Sequence, residues 1–410
     1  MTALRHVLFA LAALLLAVLA SSDAGAGPVI ERVVIVMRHG IRAPLAGEVP
    51  EGTRTGAPWP QWPVAESRIT PHGVRALDIA AAGDRALLAR QGLVAGAGCP
   101  AVGTVRIRTN SSARTIASGV AYAKGFARGC ELKVEHRPLD EVDPIFEPLR
   151  ARATRFDARA AVAAINQETG GVAALVGRHR AALDLLDGVL GCAPRRDGCL
   201  PVAAPGLMPS VDGHDLVLTG PIRSASGIAQ VLLLQYAEGL DLMQVGWGRV
   251  DAAALQRLGA LHAALFAVFT HPPYMAAHQA AVLGREVLQS VTDPAGPRVD
   301  VLMGHDTNVT ALAAALRIEL RAPGYATDDV PPGGALIVER LRDPVSGKLF
   351  VRVYYRTQRP ETLRKLGTAV TLRPLRIPGC GAILCPAPRF AALLRRQLAP
   401  LVDPALRSPN

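Results

Sequence analysis

One histidine lies between two arginines directly after an apolar run. The run covers residues 33–37, and Arg38, His39 and Arg42 follow it. Guanidinium groups present planar forks of donors that match phosphate oxygens, and an imidazole offers a nitrogen nucleophile or an acid–base group. A lone histidine is more often a satisfied core residue, but this one stands among cations. The segment therefore predicts phosphoryl chemistry centred on His39.

A second apolar run, over residues 299–303, ends in a glycine followed by His305 and Asp306. By itself Asp306 is more typical of a helix N-cap, since residues 309–316 have an apolar helical pattern. In both segments, however, a buried strand delivers polar residues at its carboxyl end. Such ends commonly carry functional loops. We therefore treat His305 and Asp306 as a second part of the same candidate site as His39.

Strand and helix patterns alternate along much of the chain, as a sheet covered by helices requires. Two late strands flank a turn-forming segment at residues 343–347 and predict a hairpin. We expect an α/β fold with a mixed, mainly parallel central sheet flanked by helices. The predicted strands are residues 33–37, 105–109, 132–135, 299–303, 335–341 and 349–357, and the main predicted helices are 71–91, 113–126, 251–269 and 275–291.

The middle of the chain has a different pattern. From residue 148 to residue 247, helices and loops dominate and β-branched runs are few. We interpret this stretch as a smaller, inserted α-helical lobe. The α/β domain would then consist of residues 27–147 and 248–410.

The amino terminus predicts an export signal. Arg5 precedes an apolar run over residues 7–20, and Ala24-Gly25-Ala26 fits a cleavage site. The run is shorter than the ~20 apolar residues needed to span a membrane. We therefore expect residues 1–26 to be a cleaved signal peptide rather than an anchor, and no later segment is predicted to be a membrane anchor.

The net charge of +11 raises the question of nucleic-acid binding. The arginines are spread along the chain rather than clustered, and aromatic residues make up only 4% of it, which leaves little for base stacking. Both features argue against a nucleic-acid partner. The excess of cations instead favours capture of a small anionic substrate.

The two motifs together resemble those of a known family. Arg-His-Gly-x-Arg-x-Pro at 38–44 and Gly-His-Asp at 304–306 are similar to the signatures of the histidine acid phosphatases, branch 2 of the histidine phosphatase superfamily. Further similarities extend over nearly the whole mature chain and indicate the branch of periplasmic phytases and glucose-1-phosphatases. They are Trp-Pro-x-Trp-Pro at 59–63, Gly-Cys-Pro at 98–100, Gly-Trp-Gly-Arg at 246–249 and Pro-Pro-Gly-Gly at 331–334.

The resemblance implies a role for each candidate residue. His39 would attack phosphorus and form a phosphohistidine, and Asp306 would protonate the departing alcohol and then activate water. The phosphoryl oxygens would be held by Arg38, Arg42, Arg114 and His305. The family has an Arg-Thr pair after the strand predicted at residues 105–109, which supplies a phosphate-binding arginine, and Arg114 takes that role here, with Arg108 as the less favoured candidate. The mechanism requires no metal ion and no cofactor.

Six cysteines in an exported chain indicate disulfides, although the residues alone allow fifteen pairings. The resemblance implies nearest-neighbour pairs, namely Cys99 with Cys130, Cys192 with Cys199, and Cys380 with Cys385. Stable disulfides require an oxidising compartment, and the periplasm is the expected location.

Substrate specificity is less clearly indicated than the reaction. Phytases of this branch usually carry a polar pair such as Thr-Lys after Arg-Ala-Pro, whereas this chain has Leu45 and Ala46, as in glucose-1-phosphatases. Residues 304–308, in contrast, resemble a phytase. We expect a secreted acid phosphatase acting on phytate, on sugar phosphates such as glucose 1-phosphate, or on both. The alternatives are a non-catalytic phosphate-ester-binding protein and a phosphoryl transferase; no oligomeric state is predicted.

Overall fold

A computed structural model describes residues 27–192 and 198–403. The predicted signal peptide, residues 1–26, lies outside this range. Within it, one mixed sheet organises the α/β part of the chain. Its strands are β1 (Val29–Arg38), β2 (Val105–Thr109), β3 (Val134–Glu135), β6 (Val299–Gly304), β7 (Ala335–Arg342), β8 (Leu349–Thr357), β9 (Thr371–Leu375) and β10 (Cys385–Pro386), and a separate hairpin pairs β4 (Gly206–Pro209) with β5 (Leu216–Thr219).

Helices cover both faces of the sheet, and the helices from the middle of the sequence form a second core beside it. The α-helices are α1 (Pro71–Arg90), α2 (Ala113–Phe126), α3 (Ala158–Thr169), α4 (Val172–Arg178), α5 (Arg180–Leu190), α6 (Pro221–Glu238), α7 (Ala252–Phe269), α8 (Pro273–Gln279), α9 (Ala281–Thr292), α10 (Asp306–Ala315), α11 (Pro360–Arg364) and α12 (Ala387–Gln397). A short 3-10 helix covers Val245–Gly248.

The main sheet runs in the order β10-β8-β7-β1-β6-β2-β3, with β9 paired to β8. The four strands β1, β6, β2 and β3 are parallel, and β7 to β10 pair in antiparallel fashion. Strand β1 is central and is buried on both faces, which explains its continuous apolar run. The predicted fold class, a mixed sheet with parallel central strands flanked by helices, is confirmed.

Most predicted elements have the expected bounds, and two differ in an instructive way. Residues 275–291 were predicted as one helix, but the chain forms α8 and α9 with a break at Ala280. Neither glycine nor proline marks this break, so the sequence had no local signal for it. At the second motif, His305 is the N-cap and Asp306 is the first residue of α10. The alternative interpretation of Asp306 as the cap is therefore wrong by one residue.

A second core lies beside the sheet and is built from helices α3 to α7. Its buried residues include Leu186, Leu232 and Leu258. Helix α7 is long and apolar enough to cross a membrane by length and composition, but it contributes buried residues to this core, as core helices of soluble proteins do. The small β4–β5 hairpin was not predicted. Division of the chain at residues 148 and 247 stays a prediction.

All six cysteines are paired as the family resemblance implied. The sulfur–sulfur distances are 2.19 Å for Cys99–Cys130, 1.94 Å for Cys192–Cys199 and 2.04 Å for Cys380–Cys385. The sequence separations are 31, 7 and 5 residues. The last two bridges therefore close short loops, whereas Cys99–Cys130 encloses β2 and α2.

A buried ion pair joins α1 to the sheet and gives a test of the packing. Asp84 lies 3.2 Å from Nε of Arg356 on β8 and accepts a hydrogen bond of 2.8 Å from the Tyr122 hydroxyl. Replacing Asp84 with alanine leaves the Arg356 charge buried and unpaired, so we expect a loss of about 3–5 kcal/mol in the free energy of unfolding.

The matched control is Asp78→Ala in the same helix, because Asp78 pairs with the exposed Arg128. An exposed pair contributes about 0–1 kcal/mol. Urea unfolding followed by circular dichroism compares the two variants with the parent. Similar losses in both variants would contradict a structural role for the buried pair.

Candidate active site

Three parallel strands end at one edge of the sheet and bring the sequence motifs together. Arg38 at the end of β1 is in register with Gly304 at the end of β6, and Thr109 of β2 pairs with Met303. The His39 backbone N–H then donates to the Gly304 carbonyl over 2.9 Å. Two segments that are 265 residues apart in the sequence are therefore joined directly by a backbone hydrogen bond.

The imidazole of His39 is held with one nitrogen free. Its Nδ1 lies 2.8 Å from the Gly40 carbonyl oxygen, which only accepts, so Nδ1 carries the proton. The lone pair is consequently on Nε2. The His39 side chain is buried, and its pKa lies well below the ordinary range because of burial and the nearby charges of Arg114, Arg38 and Arg42. His39 is therefore a neutral base with a free ring nitrogen.

Gly40 packs closely against α1. A Cβ on Gly40 would lie 2.7 Å from Cδ1 of Leu77, so the Leu77 side chain would have to shift. The Gly40 backbone N–H also donates to the Ser118 hydroxyl of α2 over 3.1 Å. The loop that carries His39 is thus pressed between two helices, which fixes the carbonyl that orients the ring.

Arg38 is almost completely buried behind His39 and joins several groups. Its guanidinium donates to the Val330 carbonyl and, over 2.7 Å, to Oε1 of Gln230 in α6. Its Nη2 lies 3.1 Å from Oδ2 of Asp306. Arg38 therefore fixes the position of the Asp306 carboxylate relative to His39.

Arg42 is oriented by a carboxylate on the same loop. Both oxygens of Glu48 accept from its guanidinium, at 2.9 and 2.5 Å, and one also accepts from the Leu45 backbone N–H at 2.8 Å. The loop packs tightly on α6, since a Cβ on Gly227 would lie 2.2 Å from the Glu48 carbonyl oxygen. Helix α6 thereby helps to position Arg42 in the cavity wall.

Arg114 and His305 contact each other across the site. Nη2 of Arg114 donates to Nδ1 of His305 over 3.3 Å, and Nε2 of His305 lies 3.1 Å from Oδ1 of Asn110. With that amide oxygen as acceptor, His305 is neutral and protonated at Nε2. Burial and the Arg114 charge lower the pKa of His305 to about 3, and burial with the Arg42 charge lowers that of Arg114 to about 10. The cations thus destabilise one another.

Three arginines of the candidate site each have a buried N–H group without a hydrogen-bond partner among the described residues. The Nε–H groups of Arg38, Arg42 and Arg114 have no hydrogen-bond acceptor in the part of the chain that the structure describes. An unpaired buried donor on a charged group is costly. An anion placed among these side chains would satisfy such donors and offset the repulsion between the cations.

Asp306 is a carboxylate with partners on several sides. Its Oδ1 accepts from the Thr307 backbone N–H over 2.8 Å, and its Oδ2 lies 3.3 Å from Nε2 of His262. Burial raises the pKa of Asp306, but the Arg38 charge and the hydrogen bond from His262 outweigh this, and the pKa lies well below the ordinary range. With these partners Asp306 is therefore ionised.

The side chains meet in an open cavity of about 590 Å³. Six residues were predicted from the sequence to form the site, and the structure brings Arg38, His39, Arg42, Arg114, His305 and Asp306 together. Arg108 points elsewhere, because its guanidinium pairs with Glu286 of α9. Within residues 27–192 and 198–403, no group of three His, Cys, Asp or Glu side chains is arranged to hold a metal ion.

Sequence reasoning missed two neutral residues of α6 and one histidine of α7. Ser226, Gln230 and His262 all line the cavity. His262 interrupts an apolar helix at a position four residues from both Leu258 and Phe266, all three of which are buried. A polar residue within such an apolar stripe was the one signal that a buried partner was needed.

Comparisons with known proteins agree with this geometry. The model of the histidine phosphatase superfamily (branch 2) matches residues 29–155. The phytase AppA of Escherichia coli is 31% identical over 348 residues, which cover 79% of each chain. A glucose-1-phosphatase of Providencia rettgeri is 27% identical and covers 84% of each chain.

A solved structure has the same fold over its whole length. The phytase of Hafnia alvei in complex with tartrate superposes with a TM-score of 0.85 and 28% sequence identity, over 94% of this chain and 100% of that one. The similarity therefore includes both the sheet and the helical part of the chain. This chain belongs to branch 2 of the histidine phosphatase superfamily, the histidine acid phosphatases, and is a phosphomonoesterase.

Proposed function

We propose that this chain hydrolyses phosphate monoesters through a phosphohistidine formed on Nε2 of His39. The observation that supports this most directly is the fixed tautomer of a neutral imidazole among three guanidinium groups. The Gly40 carbonyl holds the proton on Nδ1 and leaves the lone pair of Nε2 unshared. Covalent catalysis of this kind divides one difficult displacement into two easier ones.

The phosphoryl group would be bound by Arg38, Arg42 and Arg114. Their unpaired Nε–H groups are suitable donors, and their positive charge offsets the charge that spreads over the phosphoryl oxygens in the transition state. His305, which contacts Arg114, would bind a further phosphoryl oxygen. Burial and the charge of Arg114 lower the pKa of His305. A bound phosphate dianion would raise this pKa and so favour the protonated imidazole.

Asp306 would serve both proton transfers. In the first step Nε2 of His39 bonds to phosphorus, the bond to the ester oxygen breaks, and that oxygen takes a proton from Asp306. In the second step water attacks phosphorus, the phosphorus–nitrogen bond breaks, and Asp306 takes the proton from water. The product is inorganic phosphate, and His39 regains its lone pair.

A phosphate-binding protein without turnover would need no free nucleophile and no carboxylate beside it. The fixed tautomer of His39 and the position of Asp306, 3.1 Å from Arg38, therefore favour an enzyme. A phosphoryl transferase would use the same first step with an alcohol in place of water. The cavity is open to solvent, which favours hydrolysis over transfer.

The substrate class is proposed from the cavity wall. Relatives of this chain are phytases and glucose-1-phosphatases by name. At the site itself Leu45 and Ala46 contribute no charge, but Arg223 on the first turn of α6 is exposed and has no partner in the described residues. We infer that the enzyme acts on phytate and sugar phosphates, with Arg223 contacting a second anionic group where the substrate has one.

Export is part of the same proposal. Three disulfides are typical of proteins that fold in an oxidising compartment, and residues 1–26 have the pattern of a cleaved signal. We propose that the mature enzyme acts in the periplasm on small phosphate esters that reach it from outside the cell.

The phosphatase reaction is tested by release of inorganic phosphate from the mature, oxidised protein. At pH ~5, chosen for a carboxyl donor, we expect turnover of p-nitrophenyl phosphate, glucose 1-phosphate or phytate, and its loss in His39→Ala. His278→Ala is the control, because His278 is a buried histidine outside the cavity. Turnover that survived in His39→Ala would disprove the nucleophile.

The acid role of Asp306 predicts a dependence on the leaving group. In Asp306→Asn, kcat/KM should fall by about 10²–10⁴ for glucose 1-phosphate, as for loss of a general acid. The fall should be far smaller for p-nitrophenyl phosphate, whose leaving group needs little protonation. Asp328→Asn, at a carboxylate outside the cavity wall, should leave both values near those of the parent. Equal losses on both esters in Asp306→Asn would contradict the role.

Arg223 is tested by substrates that differ in charge. In Arg223→Ala we expect KM for phytate to rise about 5–10-fold, as for one lost charge-assisted contact, and KM for p-nitrophenyl phosphate to stay unchanged. Arg150→Ala is the matched variant, because Arg150 also lines the cavity but is paired with Glu147. An equal effect on both substrates would exclude a contact to a second anionic group.

A further inference from the structure

His262 is a buried histidine whose role the mechanism above leaves open. It lies in the middle of α7 and reaches the cavity wall. Its Nε2 is 3.3 Å from Oδ2 of Asp306, and its Nδ1 is 3.0 Å from the hydroxyl of Ser226 in α6. A carboxylate oxygen only accepts, so Nε2 carries a proton in this contact.

The second nitrogen is placed beside a group that suits either protonation state. A serine hydroxyl donates to a bare Nδ1 and accepts from a protonated one. The Ser226 side chain is buried, so it is held for this contact rather than shared with solvent. The imidazole is thereby able to gain or lose its Nδ1 proton without losing the hydrogen bond to Ser226.

Charges around His262 come from several elements. Asp329 lies against α7 itself, since a Cβ on Gly259, one turn before His262, would be 2.4 Å from its Oδ2. Gln230 of α6 donates to the other oxygen of Asp329 over 3.3 Å. Asp306 of α10 and Asp329 of the loop before β7 interact with His262. Arg38 and His39 at the end of β1 act on the Asp306 carboxylate that His262 contacts.

We propose that His262 supplies the proton that Asp306 gives to the leaving group and takes it back when water is activated. This inference rests on the proposed phosphatase function. It resolves a difficulty in that function, because Asp306, held between Arg38 and His262, is ionised and has no proton of its own to give. His262 acts through Asp306 and is therefore a positioning residue rather than a catalytic one.

The proton balance is complete. The imidazolium gives its Nε2 proton to Oδ2 of Asp306. It keeps its Nδ1 proton, which it donates to the hydroxyl of Ser226. Asp306 passes a proton to the ester oxygen as the bond from phosphorus to that oxygen breaks. In the second step the proton lost by water returns through Asp306 to Nε2. An imidazole suits this task because it exchanges protons in the weakly acidic range.

His262→Gln tests the proposal while keeping the structure. The glutamine amide occupies a position like that of Nε2 and still donates to Asp306, but it has no proton to transfer. We expect kcat/KM for glucose 1-phosphate to fall about 10²-fold, at the lower end for general acid catalysis. For p-nitrophenyl phosphate the value should change less than about threefold, since its leaving group needs little protonation.

The pH profile separates proton supply from simple support. Without the imidazole, Asp306 must be protonated directly from solvent, and its pKa is held low by Arg38. The decline of kcat/KM at the alkaline side should therefore shift to lower pH in His262→Gln. His278→Gln is the matched control, because His278 is equally buried, at 7% exposure, and its Nδ1 also contacts a hydroxyl, that of Thr154.

Each outcome decides the question. A parent-like pH profile and leaving-group dependence in His262→Gln would overturn the proposal, as would an equal loss on both esters. If His262→Gln does not fold, Ser226→Ala replaces it, since it removes the contact to Nδ1 and should shift the same alkaline limb without abolishing turnover of p-nitrophenyl phosphate. Absence of turnover in the parent and in His278→Gln would instead refute the proposed phosphatase function.

Discussion

The site depends on a neutral imidazole held among guanidinium groups. Burial and three arginines make protonation of His39 unfavourable, and the Gly40 carbonyl fixes which nitrogen keeps the remaining proton. Neither effect is sufficient alone, since a neutral ring in the other tautomer would present a proton to the substrate instead of a lone pair. The packing of Gly40 against Leu77 leaves this carbonyl little freedom.

The same cations also act on His305 and Asp306. Arg114 keeps His305 neutral when no anion is bound, and Arg38 keeps Asp306 ionised. A phosphate dianion changes both conditions at once, because it supplies the negative charge that the cluster lacks. In the proposed mechanism, binding and proton movement would therefore be coupled through electrostatics.

Helices α6 and α7 extend this network into the second core. Gln230 bridges Arg38 and Asp329, and His262 lies between Ser226 and Asp306. These side chains come from helices that also contribute buried apolar residues to that core. The helical part of the chain thus contributes to the chemistry as well as to the cavity wall, which explains why its packing on the sheet must be tight.

The sequence by itself determined the two strand-end motifs, the class of fold and the reaction type. Those features are local, since an apolar run predicts a strand and the residues directly after it must lie at the strand's end. It favoured Arg114 over Arg108 without excluding Arg108, since the two are close in sequence. Only the tertiary structure shows that Arg108 pairs with Glu286 instead. The contacts of His262 also required the fold, because Ser226 and Asp306 are 36 and 44 residues away and no periodic pattern links them. Long-range packing decides such contacts, and packing is a property of the whole chain.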